Sequence, residues 1–426
     1  MNKKNHSLLK KGIYIYFLLL IFEGALRKWF LPSLATPLLV VRDPIAIILI
    51  VMAWKNNLFK VNIYLVAVFT AAILSFIATL LVGHANITVA TFGLRILIIH
   101  FPLIFIIGSI FDYDDVIKLG KVVLAISIPM TLLIAIQFYS PQSALVNRGI
   151  GGDIEGAGFD GAMGFYRPPG TFSFTNGTTL FYSLSACFVF FFWLSKEKIN
   201  LLLLITATFS LLVSIPVAMS RGLLFGVAIT AIFVFFTLIK SPKFLSKIVS
   251  ITFISLIIIA ILSQTYFFEK ATEAFTSRFD SASKVEGGLQ GTLIGRYFGD
   301  LIGAFTDNHN LPFFGNGLGL GTNAGSQIIT GDRSFLIAEG EWGRLIGEMG
   351  ILLGSIIIVT RLSICIKLFI HSFRAIGNNN ILPWILLSFG LLSIPQGQWA
   401  QPTALGFSTV IGGLIIAGLR NFKKHI

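Results

Sequence analysis

The sequence predicts an all-α, polytopic membrane protein with about 12 transmembrane helices, a large, partly helical extracytoplasmic loop and no separate soluble domain. The chain has 426 residues, of which 55% are hydrophobic and only 12% are charged, and its mean hydropathy is +0.85. A soluble domain carries roughly 25% charged residues. Apolar runs of the length that crosses a bilayer recur along the chain, and one long polar stretch interrupts them. A single transmembrane domain over residues 1–426 is therefore expected.

The apolar windows set the order of the predicted elements. The first window follows a lysine-rich tail and contains no small-residue cleavage site, so we interpret it as a retained helix rather than a signal peptide. The large loop, residues 265–342, separates the ninth and tenth windows, and a smaller glycine-rich loop occupies residues 140–176. The predicted spans are residues 13–31, 38–54, 61–83, 93–111, 118–139, 177–195, 199–217, 222–239, 246–264, 343–366, 381–396 and 404–420.

Basic residues give the orientation. Lysines concentrate at alternate connections, which the positive-inside rule assigns to the cytoplasm, with Arg361 counted among the inner charges. Both termini are then cytoplasmic, and both large loops are outside. The outer face carries mostly arginine, whose planar fork suits phosphate or carboxylate, so an anionic substrate is expected there.

The same composition excludes several other classes. The net charge of +13 is explained by the inner loops, so nucleic acid is not an expected partner. The two cysteines lie in apolar segments and the six histidines are scattered, so we expect no disulfide, no metal site and no cofactor.

Two outer segments carry arginines in unusual settings. The smaller loop contains Arg167-Pro-Pro-Gly; its glycines let the backbone approach a ligand, and its prolines stiffen the chain. Arg221 lies in the very short connection Ala218-Met-Ser-Arg-Gly222, at the membrane boundary. The alternatives are a flexible solvated loop for the first segment and a side chain reaching toward lipid headgroups for the second.

The large loop holds further candidates. Its first part is amphipathic through Phe275 and Phe279, which predicts a surface helix. Arg296 heads a second such segment, and a glycine-rich turn over residues 311–321 is weak evidence for phosphate binding. Glu339, Glu341 and Glu348 then approach span ten, where Arg344 could pair with Glu341 or Glu348.

Charged residues also lie within or beside the first spans. Glu23 and Arg27 form an i,i+4 pair, and Arg42 and Asp43 are predicted to complete an ion-pair cluster that holds the first two helices together. Arg95 lies inside span four. It either pairs with Glu23 or Asp43, or it lines an outer cavity, for which Arg344 is a second candidate.

Together these motifs resemble the bacterial O-antigen ligase and O-antigen polymerase superfamily. Arg167-Pro-Pro-Gly-Thr-Phe with the following Asn176 is similar to that family's Arg-Pro-x-Gly-x-Phe segment, and Ser220-Arg221-Gly222 is similar to its Ser-Arg-Gly element. Arg296 before an aromatic residue, and then Gly315-Asn-Gly-Leu-Gly319, are similar to its loop pattern. The motif match covers residues 167–350, and the predicted topology extends the resemblance over the whole chain.

The resemblance implies glycosyl transfer from an undecaprenyl-diphosphate-linked glycan in the bacterial cytoplasmic membrane, without metal or nucleotide sugar. Arg221 and Arg296, with Arg167, are then expected to hold the diphosphate. Expected partners are membrane lipid and the flippase and chain-length regulator of the same surface-polysaccharide pathway.

The resemblance leaves the reaction open between two types. Ligases of this family use a histidine near the end of the large loop, whereas this chain has Glu339 and Glu341 there. This difference favours a polymerase of oligosaccharide repeats, in which those carboxylates are the candidate catalytic bases, over a ligase to a lipid or protein acceptor. A transporter of polysaccharide precursors or anions is the alternative of another class. It is disfavoured because the two halves of the chain show no repeat.

Overall fold

The computed structural model describes residues 3–286, 299–306, 312–331, 337–338 and 340–420, and these are 76% helical with almost no strand. Eight helical segments are long and apolar enough to cross a bilayer, so the chain is a helical membrane protein. They are Pro37–Lys55, Ile63–Leu81, Ile87–Ile110, Tyr113–Tyr139, Thr175–Leu194, Arg221–Lys240, Pro242–Leu262 and Glu341–Ile376. Three shorter apolar helices are Leu201–Val217, Leu382–Gln396 and Pro402–Gly418.

The predicted spans coincide with helices, and the first of them falls in a helix that begins at Lys3. The α-helices are α1 (Lys3–Ala25), α2 (Arg42–Lys55), α3 (Ile63–Leu81), α4 (Ile87–Arg95), α5 (Leu103–Ile110), α6 (Tyr113–Tyr139), α7 (Thr175–Leu194), α8 (Leu201–Val217), α9 (Arg221–Lys240), α10 (Leu245–Leu262), α11 (Tyr266–Glu286), α12 (Asp300–Thr306), α13 (Asn323–Thr330), α14 (Glu341–Ile376), α15 (Leu382–Gln396) and α16 (Pro402–Gly418). Two strands, β1 (Asp160–Ala162) and β2 (Phe165–Tyr166), form an antiparallel hairpin. Two π-helical turns, Leu26–Phe30 and Ile96–His100, continue α1 and α4.

Helices α15 and α16 form the centre of the bundle. Nearly every residue of both is buried, and α16 packs against α5, α7 and α15. Helix α10 is the opposite case, since it is equally apolar but only Ile251 and Leu262 are buried in it. A helix that is apolar on all sides suits either a protein core or lipid. Burial therefore assigns α15 and α16 to the core and α10 to the lipid-facing periphery.

Helix α14 is folded back on itself at Gly350, which corrects the expectation of one continuous span over 343–366. Gly350 has φ 75° and ψ 171°, in the midst of otherwise helical residues. The part from Glu341 packs beside the part from Ile351, because Gly354 lies against Leu345. Arg361, assigned above to the inner charges, is instead fully buried and pairs with Glu341 across this hairpin at 2.7 Å. Its charge is matched within the fold, so it gives no information on orientation.

Replacing Gly350 with valine should strongly reduce the yield and the melting temperature of folded protein in detergent. A Cβ atom there would lie 2.0 Å from the carbonyl oxygen of Phe313, and this backbone conformation, which is essentially confined to glycine, costs an L-residue about 1–3 kcal/mol. Gly377→Ala is the matched control, since φ there is −58° and its Cβ would meet nothing closer than 3.5 Å. Equal melting temperatures for Gly350→Val and wild type would contradict the fold-back.

Candidate active site

Several connections meet at one end of the bundle, which we call the loop face: residues 32–41, 82–86, 140–174, 218–220 and 397–401, with helices α11 and α13. The strand hairpin lies here. Its turn residues, Met163 and Gly164, both have positive φ (54° and 79°), as a two-residue hairpin turn requires. Gly161 of β1 lies against the Met219 side chain between α8 and α9. This contact seats the hairpin directly beside Arg221.

Helix α11 crosses the loop face and is held on its apolar side. Ala271 and Ala274 are fully buried, and the ring of Phe279 lies 6.3 Å from that of Phe225 in α9. Phe225 is one turn beyond Arg221, so this contact brings α11 to the start of α9. The surface helix predicted through Phe275 and Phe279 is thus present, and it carries a residue that sequence reasoning had not selected, Arg278.

Arg167, Arg221 and Arg278 meet on the loop face and are called the arginine triad below. Arg167 directly follows β2, and its backbone N–H donates to the carbonyl of Phe159 at 2.9 Å. Arg278 donates from Nη1 to the carbonyls of Asp160 (2.8 Å) and Gly161 (3.2 Å) of β1. The triad is therefore assembled from three elements: the strand hairpin, the start of α9, and α11.

The positive charges of the triad repel one another, as expected of an anion-binding site without its anion. Burial and the positive charges of Arg278 and Arg221 lower the pKa of Arg167 to about 10. Burial and the charge of Arg221 likewise lower the pKa of Arg278, which the nearby Asp160 raises in part. The Nε atom of Arg167 is buried and makes no hydrogen bond to a described residue. A bound anion would relieve the repulsion and supply that acceptor.

The N-terminus of α9, where Arg221 lies, adds to this positive region. It is the first residue of α9, whose N-cap is Ser220, with the Oγ atom accepting from the N–H of Leu223 at 3.2 Å. The first turn of α9 contains no acidic residue. A helix N-terminus carries partial positive charge and favours anions. A basic residue at a helix N-terminus is unfavourable by itself. It becomes favourable when a phosphate lies between the basic side chain and the helix N-terminus.

A cavity of about 350 Å³ also opens on the loop face, and its lining does not include the triad. Arg95 lies in its wall, whereas Arg344, proposed above as a second lining residue, does not. The wall combines apolar surface with neutral amides and hydroxyls. Its residues are Glu23, Arg27, Thr36, Leu39, Phe92, Arg95, Ile150, Ser173, Phe174, Asn176, Gly177, Thr322, Asn323, Ala324, Gln327, Ile328, Ala400, Gln401, Pro402 and Thr403.

The first turn of α7 joins the cavity to the triad. Asn176 lines the cavity and donates to Gln401 Oε1 at 3.2 Å. Three residues on, Thr179 hydrogen-bonds to Ser220, next to Arg221, at 2.8 Å. Residues three apart on a helix are neighbours on its surface. The two sites are thus about one helical turn apart along α7.

The predicted ion-pair cluster is present and forms part of the cavity wall. Glu23 pairs with Arg27 at 3.3 Å and with Arg42 at 3.5 Å, which confirms the link between the first two helices. Arg95 pairs with Asp43 at 2.8 Å, as one of its two interpretations expected. The Oδ1 atom of Asp43 also lies 2.9 Å from the Nε2 atom of His100, within hydrogen-bonding distance. Arg27 and His100 belong to the two π-helical turns, a feature that often marks functional sites.

The glycine-rich turn of the large loop serves the fold rather than a phosphate. The N–H groups of Asn316 and Gly317 donate to the carbonyls of Gly347 (2.8 Å) and Glu348 (3.0 Å). The N–H of Gly321 donates to Glu348 Oε1 at 2.8 Å. The N–H groups of this turn therefore already have acceptors within the protein. The turn packs the first part of α14 against α3 and α4.

Glu341 occupies a saturated network, which argues against the catalytic role that the sequence suggested. Its Oε1 accepts from Arg344 (2.8 Å) and Arg361 (2.7 Å), and its Oε2 accepts from Arg344 (3.0 Å) and the N–H of Trp399 (3.0 Å). Arg344 also pairs with Glu348 at 2.7 Å, so both of its predicted partners are found. Glu341 is 1% exposed and does not line the cavity. Four donated hydrogen bonds leave it no lone pair for a substrate proton.

Two predicted residues, Arg296 and Glu339, lie outside the described residues. Within the described ranges, no group of three or more His, Cys, Asp or Glu side chains is arranged to hold a metal ion. The site that the structure does describe is the arginine triad and the adjacent cavity. No protein-family model matches this chain, and a search of curated proteins finds no similar sequence.

Proposed function

We propose that the protein is a glycosyltransferase that polymerises undecaprenyl-diphosphate-linked oligosaccharide repeats for O-antigen, capsule or exopolysaccharide at the outer face of a bacterial cytoplasmic membrane. The observation that carries this proposal is the arginine triad, three guanidinium groups from separate elements whose charges repel one another, with a cavity of mixed polar and apolar lining on the same face. Paired phosphates match planar guanidinium groups in both charge and geometry. The proposed topology has twelve spans, cytoplasmic termini and the loop face outside.

The triad fits the chemistry of a diphosphate leaving group. When the sugar–phosphate bond breaks, negative charge builds on the departing phosphate oxygen. Preorganised donors in a water-poor site stabilise that charge most strongly in the transition state. Arg296, predicted from its motif, would add a further contact from the large loop, and the reaction inverts the anomeric configuration in one displacement.

The test is the chain-length profile of lipid-linked glycan in a deletion strain complemented with variants. Wild type should restore long chains, while Arg167→Ala and Arg221→Ala should leave single repeats on the carrier lipid. Arg148→Ala is the control, since it removes an arginine of the same loop that does not belong to the triad. Normal ladders in both triad variants would refute the proposal.

The same strains separate the other functions considered. If the protein is a ligase, the deletion strain will accumulate finished polymer on the carrier lipid instead of single repeats. If it is a transporter, reconstituted protein will move the lipid-linked repeat across vesicles without changing its length.

A further inference from the structure

The cavity beside the triad presents neutral hydrogen-bonding groups rather than free charge. Arg95 binds both carboxylate oxygens of Asp43, at 2.9 and 2.8 Å. Arg27 is engaged by the carbonyl of Ala35 and by Ser173 as well as by Glu23. The remaining polar wall is made of amides and hydroxyls, including Thr36, Ser173, Asn176, Thr322, Gln327 and Gln401. Such a wall suits an uncharged ligand rich in hydroxyl groups.

The size and the apolar part of the wall agree with a sugar. A volume of about 350 Å³ lies within the range of small-ligand sites. Phe92 and Phe174 add flat apolar surface against which one face of a sugar ring can pack. The cavity is also adjacent to the triad through α7, so a sugar in the cavity would lie next to a diphosphate held by the triad.

Glu23 is the acidic side chain that lines this cavity among the described residues. Its Oε1 accepts one long hydrogen bond, from Arg27 at 3.3 Å. Its Oε2 accepts none from the described part of the chain, since Arg42 Nε at 3.5 Å forms an ion pair without a hydrogen bond. The contrast with Glu341 is direct, because Glu341 accepts four hydrogen bonds and does not line this cavity. Glu23 retains a lone pair for a substrate proton.

We propose, on the basis of the function proposed above, that the cavity binds the acceptor sugar as an uncharged ring and that Glu23 is the catalytic base for its attacking hydroxyl. The hydroxyl oxygen bonds to the anomeric carbon of the donor while its O–H bond breaks and the proton passes to Glu23. The bond from that carbon to the phosphate oxygen breaks, and its electron pair leaves on the diphosphate held by the triad.

Three charged side chains face Glu23 and would influence its titration. Arg27 faces it from its own helix, Arg42 from α2 and Arg95 from α4. All three are cations.

The experiment measures elongation by purified protein, with repeat units linked to undecaprenyl diphosphate and extracted from the deletion strain. Glu23→Gln should lower kcat about 100-fold or more with little change in KM, and should remove the acidic limb of the pH–rate profile. Glu23→Asp should restore part of the rate and keep that limb. Asn176→Leu should instead raise KM. Glu273→Gln, at an exposed ion pair of α11, is the matched control and should behave as wild type.

Two further measurements keep the outcomes distinct. Undecaprenyl diphosphate alone should bind Glu23→Gln as it binds wild type, which shows that the variant is folded and its donor site intact. Elongation by Glu23→Gln at the wild-type rate, or loss of kcat in Glu339→Gln instead, would overturn the role of Glu23 while leaving the proposed function standing. A wild-type protein that elongates nothing would refute the proposed function itself.

Discussion

Glu341→Ala should yield little folded protein, and what folds should melt far below wild type in detergent. The substitution leaves Arg361 fully buried with its ion pair gone, and removes the acceptor of the Trp399 N–H. Breaking a buried pair by removing one partner typically costs about 3–5 kcal/mol, because an uncompensated charge remains. The ring of Trp399, 3.7 Å from the Arg361 guanidinium carbon, offsets only part of that loss.

A double variant separates charge balance from other effects of the substitution. Glu341→Met with Arg361→Met removes one negative and one positive charge and leaves the Arg344–Glu348 pair at 2.7 Å intact. Replacing a buried pair with apolar side chains is often close to neutral, so the double variant should be clearly more stable than Glu341→Met. Thermal unfolding of the two single variants and the double variant measures this coupling. A Glu341→Gln protein with wild-type stability and no activity would contradict this structural role and return Glu341 to the candidate bases.

Arg278→Ala should lower the rate of glycan elongation about 10²–10³-fold, the usual loss when one preorganised donor to a developing anion is removed. Arg278→Lys should recover little of that rate, because an ammonium group cannot reproduce the planar fork that contacts both the strand hairpin and a phosphate. Removing the positive charge at position 278 should also raise the pKa of Arg167 toward its ordinary value.

The measurement is the initial rate of elongation with the purified protein at saturating lipid-linked repeat. Lys270→Ala is the control, since it removes a cation from the same helix at an exposed pair with Glu273. Equal rates for Arg278→Ala and Lys270→Ala would remove Arg278 from the site, and full recovery by lysine would show that charge alone is needed.

Much of the fold follows from the sequence because lipid imposes a simple requirement: each spanning segment must be apolar along its length. The ion pairs between neighbouring helices were also predictable, since Glu23 and Arg27 are one turn apart and few partners exist for a buried charge. The hairpin at Gly350 was not predictable, because a single glycine in an apolar run also fits a continuous helix. The position of Arg361 was missed for the same reason, since its partner is 20 positions away in sequence.

The site was predicted only in part. Arg167 and Arg221 stand out in sequence because prolines and a very short connection surround them. Arg278 belongs to no motif in the sequence, and it reaches the triad through the packing of Phe279 on Phe225. That packing brings together residues 54 positions apart, so no local spacing signals it. Glu23 was assigned its ion pairs correctly, but the cavity beside it arises only when α4, α7 and α13 come together.

The two central helices are unusually short for a membrane protein. Helices α15 and α16 contain 15 and 17 residues, which at 1.5 Å per residue is about 22 and 25 Å, less than the roughly 30 Å of hydrocarbon in a bilayer. We expect their connection, residues 397–401, to end below one lipid headgroup layer or the bilayer to thin around it, and Gln401 of this connection lines the cavity. A lipid-anchored molecule could therefore keep its tail among the acyl chains and turn only its polar head sideways into the protein, without being lifted out of the membrane.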